Sequence, residues 1–104
     1  IKAGLNFREF PEKSWKLPDT CYDNHYPCII HGVGLCDEWP LVAYPNRDFS
    51  NADYSANFEE NMTICVESYI GEVGGKEGIK LEDQFVVTKD GLEQLSSFPY
   101  EIDI

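Results

Sequence analysis

Met62-Thr63-Ile64-Cys65-Val66-Glu67-Ser68-Tyr69-Ile70 and Ile79-Lys80-Leu81-Glu82-Asp83-Gln84-Phe85-Val86-Val87-Thr88 decide how this chain is read. Both runs are rich in β-branched and aromatic residues and are bounded by turn formers, so each predicts a strand. Between them, Gly71 to Gly78 contains four glycines and predicts a turn. In the second run Ile79, Leu81, Phe85 and Val87 share one face, while Lys80, Glu82, Gln84 and Val86 share the other, as a period of two requires. Lys89-Asp90-Gly91 is a hairpin turn signal, after which Leu92 to Leu95 can pair back as a short strand.

Upstream, Cys28 to Leu35 is a short apolar run with His31 close to Gly32 and Gly34, and it predicts a buried strand. Asn6 with Glu9 three residues later looks like a capping box. It opens a predicted helix whose apolar side is Phe7, Phe10, Trp15 and Leu17; Pro11 is tolerated near its start and Pro18 ends it. Cys21 to Pro27 has no period. Glu38 to Asn57 carries Pro40, Pro45, Asn46, Asn51 and Asn57. It is read as a long ordered loop, because Trp39, Tyr44, Phe49 and Tyr54 lie in it. The expected fold class is therefore α+β: one N-terminal helix, then a mainly antiparallel sheet, with residues 1–104 as a single unit.

A chain of 104 residues can bury a modest core, and an aromatic content of 13% argues against disorder. The formal charge of -11, from 19 acidic and 8 basic residues, repels phosphate backbones and argues against nucleic acid as a partner. No apolar stretch is long enough to span a bilayer, and no signal peptide opens the chain. Cys21, Cys28, Cys36 and Cys65 lack C-x-x-C spacing, which argues against a zinc knuckle. Reduced, mostly buried thiols and a cytoplasmic setting are expected. Asn61-Met62-Thr63 matches a glycosylation sequon, a pattern short enough to arise by chance. The chain opens on Ile1 rather than methionine, and the expectation is a segment from inside a longer product.

Three residues fit their strands badly. His31 interrupts an apolar run, Glu67 interrupts a strand expected to be buried, and Glu82 lies opposite the apolar face of the next strand. Two carboxylates on neighbouring strands with one imidazole suit a site for manganese, iron or zinc, and a carboxylate in a buried strand is costly unless paired or metal-bound. From the residues alone two other readings stay open: His31 as a satisfied core histidine, and Glu82 as the surface partner of Lys80.

These segments also carry a resemblance. His31-Gly32-Val33-Gly34-Leu35 resembles the histidine-glycine motif of the creatinase/Xaa-Pro-peptidase (pita-bread) metalloenzymes. Thr63 to Tyr69 and Gly78 to Thr88 are similar to the strands that bear that family's two glutamate ligands, and Asp90 to Leu95 resembles the end of its fold. The blocks keep the family's order and spacing across nearly the whole chain. The resemblance implies the C-terminal half of a pita-bread domain. It also implies two divalent transition-metal ions (Fe, Mn or Zn) held by two aspartates, then His, Glu, Glu. Here His31 would bind one metal, Glu67 would be a ligand and Glu82 a bridge. The aspartates are expected upstream, so the chain alone is expected to be inactive, and a homodimer is expected for the complete enzyme. Strands exposed where the other half is missing predict association or poor solubility.

Peptidases of the family carry a second histidine soon after the His-Gly motif, and Leu35-Cys36-Asp37-Glu38-Trp39-Pro40 has none. That segment, with Asn24-His25-Tyr26-Pro27, instead resembles the dimethylsulfoniopropionate lyases of this fold. The resemblance implies a small-molecule substrate, Asp37 as the base and Tyr26 as a substrate contact. A sulfonium cation suits aromatic faces, which makes Tyr26 and Trp39 candidates, with core packing the preferred reading of Trp39. β-Elimination would release acrylate and dimethyl sulfide. An Xaa-Pro-type metallopeptidase is the second hypothesis, and a truncated, self-associating fragment without turnover is the third.

Overall fold

Strand propensity and the two-residue period are realised almost as read. The computed structural model describes residues 1–44 and 55–101. Among them, five strands form one antiparallel sheet: β1 (Cys28–Val33), β2 (Asp37–Ala43), β3 (Thr63–Ile70), β4 (Ile79–Val87) and β5 (Leu92–Gln94), in spatial order β2-β1-β3-β4-β5. A short helix, α1 (Glu9–Lys13), and a 3-10 helix at Asp19–Asn24 precede them.

Register sorts the side chains onto two faces, because cross-strand partners point the same way. Ile30 pairs with Val42 on β2 and Val66 on β3, and Ile64 pairs with Phe85 on β4. These positions make the apolar face, where Ile30, Ile64 and Val87 are fully buried and Phe7, Leu17, Ile29, Val42, Tyr44 and Phe58 complete the core. Phe7 packs edge-on against Phe58 at 4.7 Å between ring centroids, a favoured aromatic geometry. The N-terminal segment is held there by backbone bonds from Gly4 to Phe58 and from Phe7 to Ala56. On the opposite face His31 pairs with Cys65, Cys65 with Gln84, and Glu67 with Glu82.

The helix is shorter than its sequence predicts. Asn6 does not cap it: its side chain accepts from Arg8 N and donates to Ser55 and Asn57, while its backbone bridges Asn57. Ser14 turns extended, its hydroxyl and the Lys16 ammonium taking the Pro11 carbonyl. Phe7 and Leu17 reach the core from outside the helix, and Trp15 is largely exposed. Asp19–Asn24, overlapping the Cys21 to Pro27 stretch read as having no period, forms the 3-10 helix.

The expected loop from Glu38 is also corrected, since Asp37–Ala43 is strand β2. Pro40 concealed it, but proline is permitted on an edge strand beside a bulge. The register slips between His31 and Gly32, and at that slip the Trp39 carbonyl lies against Gly32, where an added Cβ would stand 2.1 Å from the oxygen. Small size at Gly32 thus admits the β2 backbone. Pro45, Asn46, Phe49, Asn51 and Tyr54 of the expected loop lie outside the described residues. All four cysteines are free, with only Cys36 exposed. Ile79 and Leu81 leave the near end of β4 apolar and exposed.

Gly32→Ala is expected to destabilise the chain by about 1–3 kcal/mol, the usual cost of overpacking, read as a lower urea midpoint. Gly91→Ala, where an added Cβ meets nothing within 4 Å, is the control and is expected to shift stability by less than about 0.5 kcal/mol.

Candidate metal centre

The polar face of the sheet collects residues that each alternate with apolar neighbours. β1 places His31, β3 places Cys65 and Glu67, and β4 places Lys80 and Glu82, at positions two apart along each strand. His31 Nε2 stands 3.4 Å from Glu82 Oε1 and 3.7 Å from Glu67 Oε1. His31 Nδ1 lies 2.9 Å from the Gly32 carbonyl and 3.6 Å from Asp37 Oδ1. A proton on Nδ1 donates to that carbonyl and leaves the Nε2 lone pair aimed between the two glutamates. This is the orientation a metal-ligating histidine needs.

The donor set fits a divalent cation. Atoms bound to one ion at about 2.0–2.2 Å stand roughly 2.8–3.6 Å apart in octahedral or tetrahedral arrangement; the 3.4 Å spacing to Glu82 falls in that range and the 3.7 Å spacing to Glu67 lies just beyond it. The Glu67 side chain has no exposed surface, and Lys80 Nζ lies 2.6 Å from its Oε2 as a charge-assisted ion pair. Lys80 Nζ is also 3.3 Å from Glu82 Oε2, so Glu82 turns one oxygen to the lysine and the other to the imidazole.

Charge here is tightly coupled. Contact with Glu67 raises the Lys80 ammonium well above its usual range, against the opposing effect of burial. Burial pushes Glu82 up, but hydrogen bonds from Cys65 and Lys80, together with the His31 ring, outweigh it and hold the carboxyl below its ordinary range. Cys28 donates to Glu67 Oε1 at 3.4 Å. Burial first, then hydrogen bonding to Glu67 and Glu82 respectively, pushes the Cys28 and Cys65 thiols up to about 12.

His31, Glu67 and Glu82 are thus brought together, with Asp37 on the far nitrogen of the imidazole. Asp37 is 70% exposed. Tyr26 borders the cluster, its ring 4.2 Å below the Lys80 ammonium, and the Glu67 carboxylate raises its phenol above the usual value. Trp39 is half exposed and packs edge-on against Phe7 of the core at 5.4 Å. Sequence reasoning treated Lys80 only as a surface partner and passed over Cys28 and Cys65. The period of two could have found two of them, since Cys65 is two residues from Glu67 and Lys80 two from Glu82.

The family model for metallopeptidase family M24 matches residues 1–89. The dimethylsulfoniopropionate lyases DddP of Roseovarius nubinhibens and Roseobacter denitrificans are each 45% identical over 101 residues, covering 97% of this chain and 22% of theirs. The chain therefore spans roughly a fifth of the length of these curated relatives. The crystal structure of the X-Pro aminopeptidase from Thermotoga maritima superposes with a TM-score of 0.64 at 26% identity, over 94% of this chain and 26% of that one. No helix among the described residues is long and apolar enough to cross a membrane.

Lys80→Met is expected to lower the stability of the metal-free chain by about 1–3 kcal/mol, the cost of leaving a buried acceptor without a partner. Adding Glu67→Gln should recover most of that loss in urea denaturation, because it removes the unpaired charge. Thiol labelling should modify Cys36 in the native chain and Cys21, Cys28 and Cys65 only after unfolding. Folding favours protonated Cys28 and Cys65, so their contribution to stability is full below 9.0 and should disappear as pH rises towards 12.

Proposed function

We propose a function from one premise: the chain belongs to metallopeptidase family M24. Membership brings a metal requirement in general. The proposal is that His31, Glu67 and Glu82 would be three of the ligands holding a centre of two divalent ions, iron, manganese or zinc. Two aspartates outside this segment would complete it, and the segment alone would not turn over. The observation that carries this reading is the convergence of His31 Nε2 on both glutamates while Asp37 stands on its Nδ1 side.

The activity we assign is β-elimination of dimethylsulfoniopropionate. The names of the two relatives and the Cys36-Asp37-Glu38 segment support it, as does the lack of a histidine in Leu35 to Pro40. When bound, the ions supply Lewis acidity towards the substrate carboxylate. Asp37 takes the proton from the carbon next to that carboxylate. The electron pair forms the new carbon–carbon double bond, and the C–S bond breaks with its pair leaving on sulfur, so acrylate and dimethyl sulfide depart. The Tyr26 ring, already faced by the Lys80 ammonium, offers a π-surface to the sulfonium. Trp39 offers its exposed edge to the substrate while its ring packs on Phe7. Lys80 tethers Glu67 and Glu82 and keeps their oxygens turned towards His31. A small-molecule substrate, a cytoplasmic setting and a homodimer belong to the same proposal. Xaa-Pro peptide hydrolysis is the second reading, favoured by the structural match to the aminopeptidase.

The test is headspace dimethyl sulfide from dimethylsulfoniopropionate, measured on this segment joined to its upstream residues and loaded with iron or manganese. Release is expected, with a fall of about 100-fold or more in Asp37→Ala at near-normal metal content and full loss in His31→Ala. No release from a folded, metal-loaded protein that cleaves an Xaa-Pro dipeptide would overturn the lyase reading.

A further inference from the structure

Cys65 lies inside the cluster, yet the reaction above makes no use of it. Cys65 is buried and pairs across the sheet with His31, so backbone register brings the thiol and the imidazole together. One ligand atom from each of His31, Cys65 and Glu82 lies within 4.8 Å of the other two. Glu82 already commits Oε2 to Lys80, which leaves Oε1 for this group without displacing the lysine.

We propose that His31, Cys65 and Glu82 form a three-donor site selective for thiophilic divalent ions, zinc and cadmium, over manganese. The inference deepens the metal reading above and rests on it for His31 and Glu82. Sulfur is the only soft donor in the set, and a thiolate adds to the preference for zinc and cadmium over manganese that an imidazole already gives. Three protein donors of this kind are enough for a tetrahedral zinc site, with Glu67 Oε1, 3.7 Å from His31 Nε2, as the neighbouring fourth. At zinc–ligand lengths of about 2.0–2.3 Å the three atoms would stand roughly 3.3–3.7 Å apart, so the present spread closes by side-chain movements of about 1 Å. On binding, the Cys65 S–H proton passes to solvent as the sulfur–metal bond forms, and no oxidation is involved.

The experiment titrates the reduced 104-residue chain with cadmium and follows the sulfur-to-cadmium charge-transfer absorption, with zinc and manganese as competitors. One equivalent of band intensity is expected, displaced by zinc and not by manganese. The band should survive Cys36→Ser and vanish in both Cys65→Ser and Cys65→Ala, with far-ultraviolet circular dichroism showing that each variant folds. Zinc affinity should fall about 10-fold or more in the Cys65 variants while manganese affinity stays within about threefold. A band that disappears with Cys36→Ser and persists in folded Cys65→Ala overturns the proposal, as does no band at all from the folded chain. A band lost with Cys65→Ala but unchanged in His31→Ala also overturns the three-donor site. Failure of the underlying metal reading is distinguishable: manganese binding to the longer protein would then be insensitive to His31→Ala and Glu67→Gln.

Discussion

Glu67 has no exposed side-chain surface, and an ionised carboxylate in that position persists only beside a cation. In this chain the cation is Lys80, delivered from the neighbouring strand by a register that sets Glu67 opposite Glu82. The pairing cannot slip by one residue. A slip of β4 against β3 would carry Lys80 and Glu82 onto the apolar face beside Ile64 and would turn Phe85 and Val87 away from it. Burial on one side of the sheet and charge on the other thus enforce the same register.

The polar face concentrates unlike groups within a few ångströms: an imidazole, two carboxylates, an ammonium and two thiols. Each shifts its neighbours. The carboxylates raise Lys80 and the thiols, and those donors in turn hold Glu82 low. Such mutual compensation describes a site prepared for positive charge. Lys80 supplies one unit of it from an exposed stem, and a divalent ion with imidazole and carboxylate ligands would supply more. The chain spans only a fifth of the length of the two lyases it matches.

The edges of the sheet show how local chemistry sets the limits of the site. Gly32 lets β2 bulge inward, and that bulge positions Asp37 beside the far nitrogen of His31. Trp39 is carried by the same strand, yet its ring serves the core through Phe7. One irregular strand therefore provides a polar group for the site and an aromatic one for the core, which a regular two-residue alternation would not do.

Much of the fold was legible from composition and period. The strands from Thr63 and Ile79 and the turn at Lys89-Asp90-Gly91 follow from β-branched runs and glycine-rich breaks, because those preferences act within a few residues. The same alternation marked His31, Glu67 and Glu82 as misfits. The helix extent and strand β2 were not legible, since Asn6 was drawn to Asn57 and Ser55 far along the chain, and Pro40 was tolerated only because β2 lies at an edge. What the sequence determined by itself was the type of each strand and the identity of the odd residues on it. Tertiary structure alone decided that Lys80 would neutralise Glu67, that Cys65 would meet His31 and that Asp37 would stand on the other side of the ring. Those contacts depend on the register between strands distant in sequence, and no local preference encodes register.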